Sequence, residues 1–244
     1  YTDVDGVYTT DPRITSKARK LDRIAFEEML ELASLGAKVL QTRSVELAMA
    51  KQVPVRVLSS FIEPDENGNL PENAGTLICD EDEIVEKRIV SGVTMSRDEA
   101  RITLLGLADR TDAPADVFTR LAEANVNVDM IVQSQARTEG AVNLTFTTGR
   151  RDAQRAAEMM TAAKTELGFE ELRIDADVAK ISVIGVGMRS HAGVAQTMFR
   201  ALADKGVKFQ AISTSEIKIS VLIDAAYAEL AVRALHAGFG LDQL

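Results

Sequence analysis

Residues 100–113, ARITLLGLADRTDA, have a second version at residues 179–192, AKISVIGVGMRSHA. Ile102 matches Ile181, Gly106 matches Gly185 and Arg110 matches Arg189. Two extra residues follow in the second copy, and then the match resumes. VFTRLAEANV from Val117 lies over MFRALADKGV from Met198, VDMIVQSQ from Val128 over FQAISTSE from Phe209, and NLTFTT from Asn143 over KISVLI from Lys218. Blocks matching in the same order make an internal repeat, which settles the architecture before any single motif does.

Each copy reads strand, helix, strand, strand, helix. In IKISVLID, Ile217, Ile219, Val221 and Ile223 alternate onto one face, which is strand periodicity. Ala156, Met159, Met160, Ala163 and Leu167 fall at helical spacing in the first copy, as do Tyr227, Leu230, Ala231, Ala234 and Leu235 in the second. Both stripes are expected to pack cores. The order βαββα needs one more strand to complete a split βαβ, ferredoxin-like unit. The first copy has it in ELRIDADV from Glu171, and the second has none after its last helix. An orphan strand, RIVSGVTMS from Arg88, precedes the first copy. Because an open sheet edge invites association, this strand is expected to complete the second copy, with the first copy inserted within the second.

Upstream, LDRIAFEEMLELASLGAKVL carries Phe26, Met29, Leu30 and Ala33 on one helical face. Asp22 is its expected N-cap and Gly36 its terminator. TRSVELAMA reads as a second helix, with Val45, Ala48 and Met49 on one side. VPVRVLSSF from Val53 and GTLICD from Gly75 read as strands, with the polar loop FIEPDENGNLPENAG between. Two strands are too few for a doubly wound nucleotide-binding sheet. Gly185-Val-Gly187 imitates part of a dinucleotide fingerprint, but the third glycine is missing and the repeat accounts for the pair.

Composition narrows the function. The net charge of −9, the 5% aromatic content and the absence of Trp argue against nucleic-acid binding. No apolar run is long enough for a membrane helix. The single cysteine, Cys79, fits a reducing, cytoplasmic setting. With only His191 and His236 beside it, no zinc site is expected. The chain opens on TDVDGVYTTDPR, Thr2–Arg13, which reads like the middle of a binding loop, so the sequence is expected to be part of a longer protein.

That opening loop, the block FEEMLELASLGAKVLQTRSVELA and the doubled module ending in ISTSEIKISVLI together resemble the C-terminal part of aspartate kinase. The resemblance covers almost the whole chain. It implies a mixed α/β fold: a partial amino-acid-kinase α/β/α sandwich over residues 1–82, then two ferredoxin-like βαββαβ ACT modules, one over 100–178 and the other built from 84–99 plus 179–244. The implied activity is transfer of the ATP γ-phosphoryl group, with Mg2+, to the side-chain carboxylate of L-aspartate, the first step toward lysine, threonine and methionine. By the same resemblance the opening loop borders ATP. Thr2 and Asp3 contact the nucleoside or a phosphate, Tyr8 flanks the base or ribose, Arg13 meets phosphate oxygens, and Lys38 adds charge near the nucleotide. Converging cations suit a reaction that is mostly positioning and charge neutralisation. The family's glycine-rich phosphate loop and aspartate pocket have no match here, so this chain alone is not expected to turn over aspartate. A non-catalytic amino-acid-sensing subunit of the same family is the alternative reading.

The resemblance also implies an amino-acid effector, lysine or threonine, bound between modules, and a homodimer or larger oligomer formed through them. The implied site takes Asp109, Arg110, Thr111, Asp112, Ala113 and Pro114 from the first strand-to-helix turn. It adds Asn127, Val128, Asp129 and Gln133 from the second strand, and a facing set of Lys208, Phe209, Ser215 and Glu216 with Val194 and Ala195 near. A helix N-terminus suits an α-carboxylate, and Asp109 or Asp129 suits an α-ammonium. Two departures from the family are expected to weaken or alter binding. Thr111-Asp112 replaces the usual Pro-Gly and places an N-cap carboxylate on donors the effector needs. Lys208-Phe209 replaces Asn and an aliphatic residue, so it fills the pocket or pairs Lys208 with Asp112.

Overall fold

The computed structural model describes residues 2–36, 39–63, 65–67, 69–71, 74–84 and 88–243. The leading part holds three short strands, β1 (Arg23–Ala25), β2 (Val55–Val57) and β3 (Thr76–Cys79), in the order β1-β3-β2, with β1 parallel and β2 antiparallel to β3. Strand β1 was not expected. Ile24 and Ala25 are buried and pair with Ile78 and Cys79, so this stretch is taken by the sheet and helix α1 (Phe26–Ser34) starts only after it. Asp22 is therefore not the cap. Its carbonyl accepts the Leu77 N–H (2.9 Å), and the helix start is closed by Glu28, whose Oε2 accepts the Ala25 N–H at 3.2 Å. Phe26, Met29 and Leu32 of α1 pack on Val45 of α2 (Thr42–Lys51) and on Ile78.

The repeat forms one six-stranded sheet, β5-β6-β4-β7-β9-β8, built around two long strands, β4 (Gly92–Ala108) and β7 (Glu171–Ile184). Each passes through both copies. Gly92–Ser96 pair with Lys180–Ile184, while Arg101–Leu105 pair with Glu171–Asp175. The register shifts on both sides of Glu99, where the chain crosses from one half to the other. β5 (Val128–Gln135) and β6 (Ala141–Thr148) complete one half, β8 (Phe209–Thr214) and β9 (Lys218–Asp224) the other.

Helices α3 (Ala113–Glu123), α4 (Arg150–Ala162) and α5 (Lys164–Leu167) cover Ile102, Leu104 and Phe146; Phe118 meets Phe146 edge-on at 5.9 Å. Helices α6 (Val194–Ala203) and α7 (Ala228–Gly238) cover Ile181, Val183 and Val221. The expected α7 stripe needs one correction. Tyr227 is 45% exposed, in a short 3-10 turn capped by Asp224, which moves the helix start. The buried face runs instead through Ala228, Ala231, Val232, Leu235 and His236.

The two glycines of the false fingerprint have a steric cause. A Cβ on Gly185 would lie 2.2 Å from the Ile89 carbonyl oxygen, and one on Gly187 2.3 Å from that of Arg88. The turn after β7 is pressed against the backbone leading into β4, and only glycine fits. On the sheet's other face, Met130 at the start of β5 packs with Val178, Ala211 and Leu222, so the two halves fold onto each other there.

Candidate functional site

The opening loop is held by its own side chains and by strands of the leading sheet. The Thr2 carbonyl accepts from both the N–H (2.9 Å) and the hydroxyl (2.6 Å) of Ser60, just past β2. The Val7 N–H donates to the buried Thr76 hydroxyl of β3 at 2.8 Å, and that hydroxyl donates to the Leu21 carbonyl at 2.6 Å. Tyr8 bridges to Lys20, and its hydroxyl donates to Asp5 at 3.0 Å. Partial burial, with the Asp5 carboxylate beside it, pushes the Tyr8 pKa up. Asp3 is exposed. Arg13 folds back on Asp11, with Nε 3.0 Å from Oδ1 and Nη2 2.6 Å from Oδ2, and this fork holds the Asp11 carboxyl below its ordinary range. The Arg13 side chain is 90% exposed. Such an exposed pair is weak, so the guanidinium can exchange onto a stronger anion. Lys38 lies outside the described residues.

Sequence reasoning missed the residue at the centre of this loop. Thr9 is fully buried. Its hydroxyl accepts the Arg19 N–H at 3.0 Å and lies 2.9 Å from Nε2 of His236 on α7. With one lone pair taken by the amide, the hydroxyl keeps a proton to donate and a second lone pair to accept with, so it pairs with Nε2 in either neutral tautomer of the ring. Burial pushes the His236 pKa down; nearby Asp242 opposes this and nearby Lys17 adds to it. A depressed histidine pKa means that the unfolded chain takes up the proton first as pH falls. Stability should therefore be complete above about pH 6.5 and fall as the pH drops below it. Urea midpoints measured from pH 7.5 to 5.5 should decline in the wild type, and the decline should flatten in His236→Gln. An unchanged slope in that variant would count against neutral burial.

The residues expected to bind an effector do not form one cleft within the chain. Asp109–Pro114 leave the C-terminal end of β4, where the Asp109 N–H donates to the Gly140 carbonyl (2.9 Å). Asn127 precedes β5, and Val128 and Asp129 begin it, at the other end of that half-sheet, with Val128 opposite Thr148 and Ala108 opposite Ala141. Eight strand residues, roughly 25 Å, separate the two groups. Gln133 lies midway along β5, opposite Leu144. Val194 is buried and Ala195 exposed in the first turn of α6. Exposed Lys208 precedes Phe209, whose ring packs on Phe199 at 5.2 Å. In the turn between β8 and β9 the Ser215 N–H donates to the Lys218 carbonyl (2.8 Å), and Glu216 pairs with Arg189 at 3.5 Å.

The expectation for Asp112 is corrected. It stands at the N-cap of α3, but its backbone is already helical and its carboxylate makes no capping hydrogen bond. Arg110 draws the carboxylate aside (3.6 Å) while also pairing with Asp116 (3.2 Å). The first-turn donors are thus not taken by Asp112. Within the chain Lys208 is not its partner, because they sit in different halves of the sheet: the register puts Phe209 level with Ile223, which pairs with Ala179, while Asp112 lies beyond Ala108 at the far end of β4.

Asp129 also has an unforeseen partner. Lys180 of β7 is buried, with Nζ 2.6 Å from Glu99 and hydrogen-bonded to Asp129. Burial works to lower the ammonium pKa, but the two carboxylates outweigh it and hold the value above that of an ordinary lysine. The carboxylate expected to take a ligand's ammonium therefore holds one belonging to this chain. Strand alternation places Lys180 opposite Ile181, on the face without helices, and nothing local reveals that this face is buried.

Comparison with known proteins matches these features. Residues 1–59 match a family model described as the amino acid kinase family, and residues 181–239 match one described as an ACT domain. The aspartate kinase Ask_LysC of Stutzerimonas stutzeri is 51% identical over 243 residues, covering 99% of this chain and 57% of that protein. The chain thus spans little more than half the length of that curated relative. The regulatory subunit of aspartate kinase from Thermus thermophilus, in its ligand-free form, is 39% identical, with a TM-score of 0.59 over 62% of this chain and 99% of that one. Aspartokinase III of E. coli in complex with aspartate and ADP is 27% identical, with a TM-score of 0.80 over 98% of this chain and 51% of that one. Among the described residues no helix is long and apolar enough to cross a membrane.

Proposed function

This chain belongs to the aspartate kinase family, and from that membership we propose that it serves an enzyme transferring the γ-phosphoryl group of ATP, taken as its Mg2+ complex, to the side-chain carboxylate of L-aspartate. Residues 1–82 contribute the C-terminal part of the ATP-binding domain. Residues 100–178 form one ACT module, and residues 84–99 plus 179–244 form the other. The observation that carries the reading is the 51% identity to an aspartate kinase along 99% of the chain. A purely regulatory subunit has no use for the sheet β1-β3-β2 or for an opening loop bonded into it, which favours the kinase over the alternative.

In this reading Thr2, Asp3, Tyr8 and Lys38 border the nucleotide, and Arg13 leaves Asp11 for phosphate oxygens, where its planar fork is the better fit. Lysine or threonine acts as effector at the modules. Because Asp109–Pro114 and Asn127–Asp129 lie at opposite ends of one half-sheet, a site using both needs modules set side by side, as in a homodimer. In the enzyme carrying this sequence, ADP release should depend on L-aspartate. Calorimetry with lysine and threonine should give affinities weaker than micromolar, since Lys208 and Phe209 narrow the facing surface. ADP release indifferent to aspartate would sink the activity, and micromolar binding of either amino acid would sink the weakened site.

A further inference from the structure

Thr9 and His236 are 227 positions apart in sequence, yet they share a buried polar junction. Every polar atom of Thr9 is engaged. Its N–H donates to the Arg19 carbonyl (2.8 Å) and its hydroxyl accepts the Arg19 N–H (3.0 Å), which closes the loop between Tyr8 and Lys20. The other two contacts leave the loop altogether. Its carbonyl accepts the Val93 N–H of β4 (2.8 Å), and its hydroxyl meets His236 Nε2 of α7. The strand approaches closely because Gly92 has no side chain; a Cβ there would lie 3.1 Å from the Thr9 carbonyl oxygen. An outer ring of weaker contacts surrounds the junction: Lys17 to the Asp242 carboxylate (3.2 Å), Arg19 to the Asp242 carbonyl (3.5 Å) and Arg233 to the Ile14 carbonyl (3.5 Å).

We propose that His236 is a positioning residue for the nucleotide: through Thr9, the last helix of the second module holds the loop on which Tyr8 and Arg13 are carried. This rests on the reading that the opening loop borders ATP. The mechanism is geometric. A loop of this length has many conformations in isolation, and ordering it costs entropy. Two hydrogen bonds from elements packed in the second module's core restrict those conformations before ATP arrives. Nucleotide binding then meets a preformed surface. By linkage, whatever moves α7 or the start of β4 changes nucleotide affinity, and nucleotide binding acts back on them with equal strength. The second module is in this sense part of the support of the nucleotide site.

Four substitutions test the junction. Thr9→Val removes the hydroxyl and keeps the shape; Thr9→Ser keeps the hydroxyl. His236→Leu removes the ring nitrogen, and His236→Gln restores a polar group near the Nε2 position. Amide hydrogen exchange on this chain should speed up about tenfold at residues 6–20 in Thr9→Val and His236→Leu, and stay near wild type in Thr9→Ser and His236→Gln. In the enzyme carrying this sequence, the same two loss variants should raise KM for ATP about five- to tenfold, with kcat within twofold and KM for aspartate unchanged, the signature of lost uniform binding. Unchanged exchange at residues 6–20 in Thr9→Val would overturn the junction itself. Faster exchange with an unchanged KM for ATP would overturn the assignment of the opening loop to the nucleotide, and the proposal with it. If His236→Leu loses protection throughout the chain, the isosteric Thr9→Val variant decides.

Discussion

A Glu28→Ala chain should be about 3–5 kcal/mol less stable than wild type in urea unfolding. Glu28 is only 2% exposed, and its carboxylate is shared among three donors from three parts of the chain. Oε2 accepts the Ala25 N–H at the start of α1, and Oε1 accepts both the Ser91 hydroxyl (2.6 Å) and the Val186 N–H (2.9 Å). Removing the carboxylate leaves these donors buried and unsatisfied, and each such group costs about 1–3 kcal/mol. The sum is partly relieved if water enters the space left behind. Ser91→Ala removes only one donor and should cost about 1 kcal/mol. A loss below about 1 kcal/mol for Glu28→Ala would mean that the carboxylate does not join the leading segment to the repeat.

The second large effect belongs to Lys180. Lys180→Met should cost about 3–5 kcal/mol, because Glu99 is then left as a buried charge with no cation. Adding Glu99→Gln should recover most of that loss, since a neutral pair of similar size has no charge to desolvate. Asp129→Asn should cost under about 1 kcal/mol, because the Asp129 side chain is 54% exposed and water replaces the lost interaction. The raised pKa of Lys180 fixes the pH window. Its contribution is complete below the ordinary lysine value near 10.4 and is lost only as pH rises through the still higher folded value. The difference between wild type and the Lys180→Met, Glu99→Gln double variant, which carries no stranded carboxylate, should therefore be flat from pH 6 to 9. A double variant no more stable than Lys180→Met would show that the cost lies in packing and not in the stranded carboxylate.

Sequence and structure agree over most of the periodic stretches. The repeat, its strand–helix order and the apolar faces of α1 and α4 were readable because one-sided burial writes its period into the chain. Boundaries were less legible. Arg23–Ala25 joined the sheet because Ile24 and Ala25 found partners in β3, 54 residues away in sequence by the pairing of Arg23 with Leu77, and no local signal reports such a partner. Tyr227 fitted a helical stripe by spacing alone, until a capped turn shifted the phase. The polar junctions were the least visible. Glu28, Thr9, Lys180 and His236 each look like ordinary surface residues in a sequence, because their burial depends on elements that meet only after folding. His236 left the best clue, since it falls on the apolar face of its own helix.

The shared strands have a consequence for the order of assembly. Gly92–Ser96 emerge early in synthesis, but their partners, Lys180–Ile184, emerge only after the whole first copy. In the interval that stretch has an unpaired edge, and its eventual neighbours in the core, Met198 and Leu235 among them, do not yet exist. The first copy has its own strands and helices close at hand and can close early; the second must wait for the end of the chain. Long-range closure of this kind is slow, and waiting edges are prone to stray pairing. Ribosome-bound chains in which residues up to 178 have just cleared the exit tunnel should thus resist protease over 100–178 while remaining cleavable at 92–96.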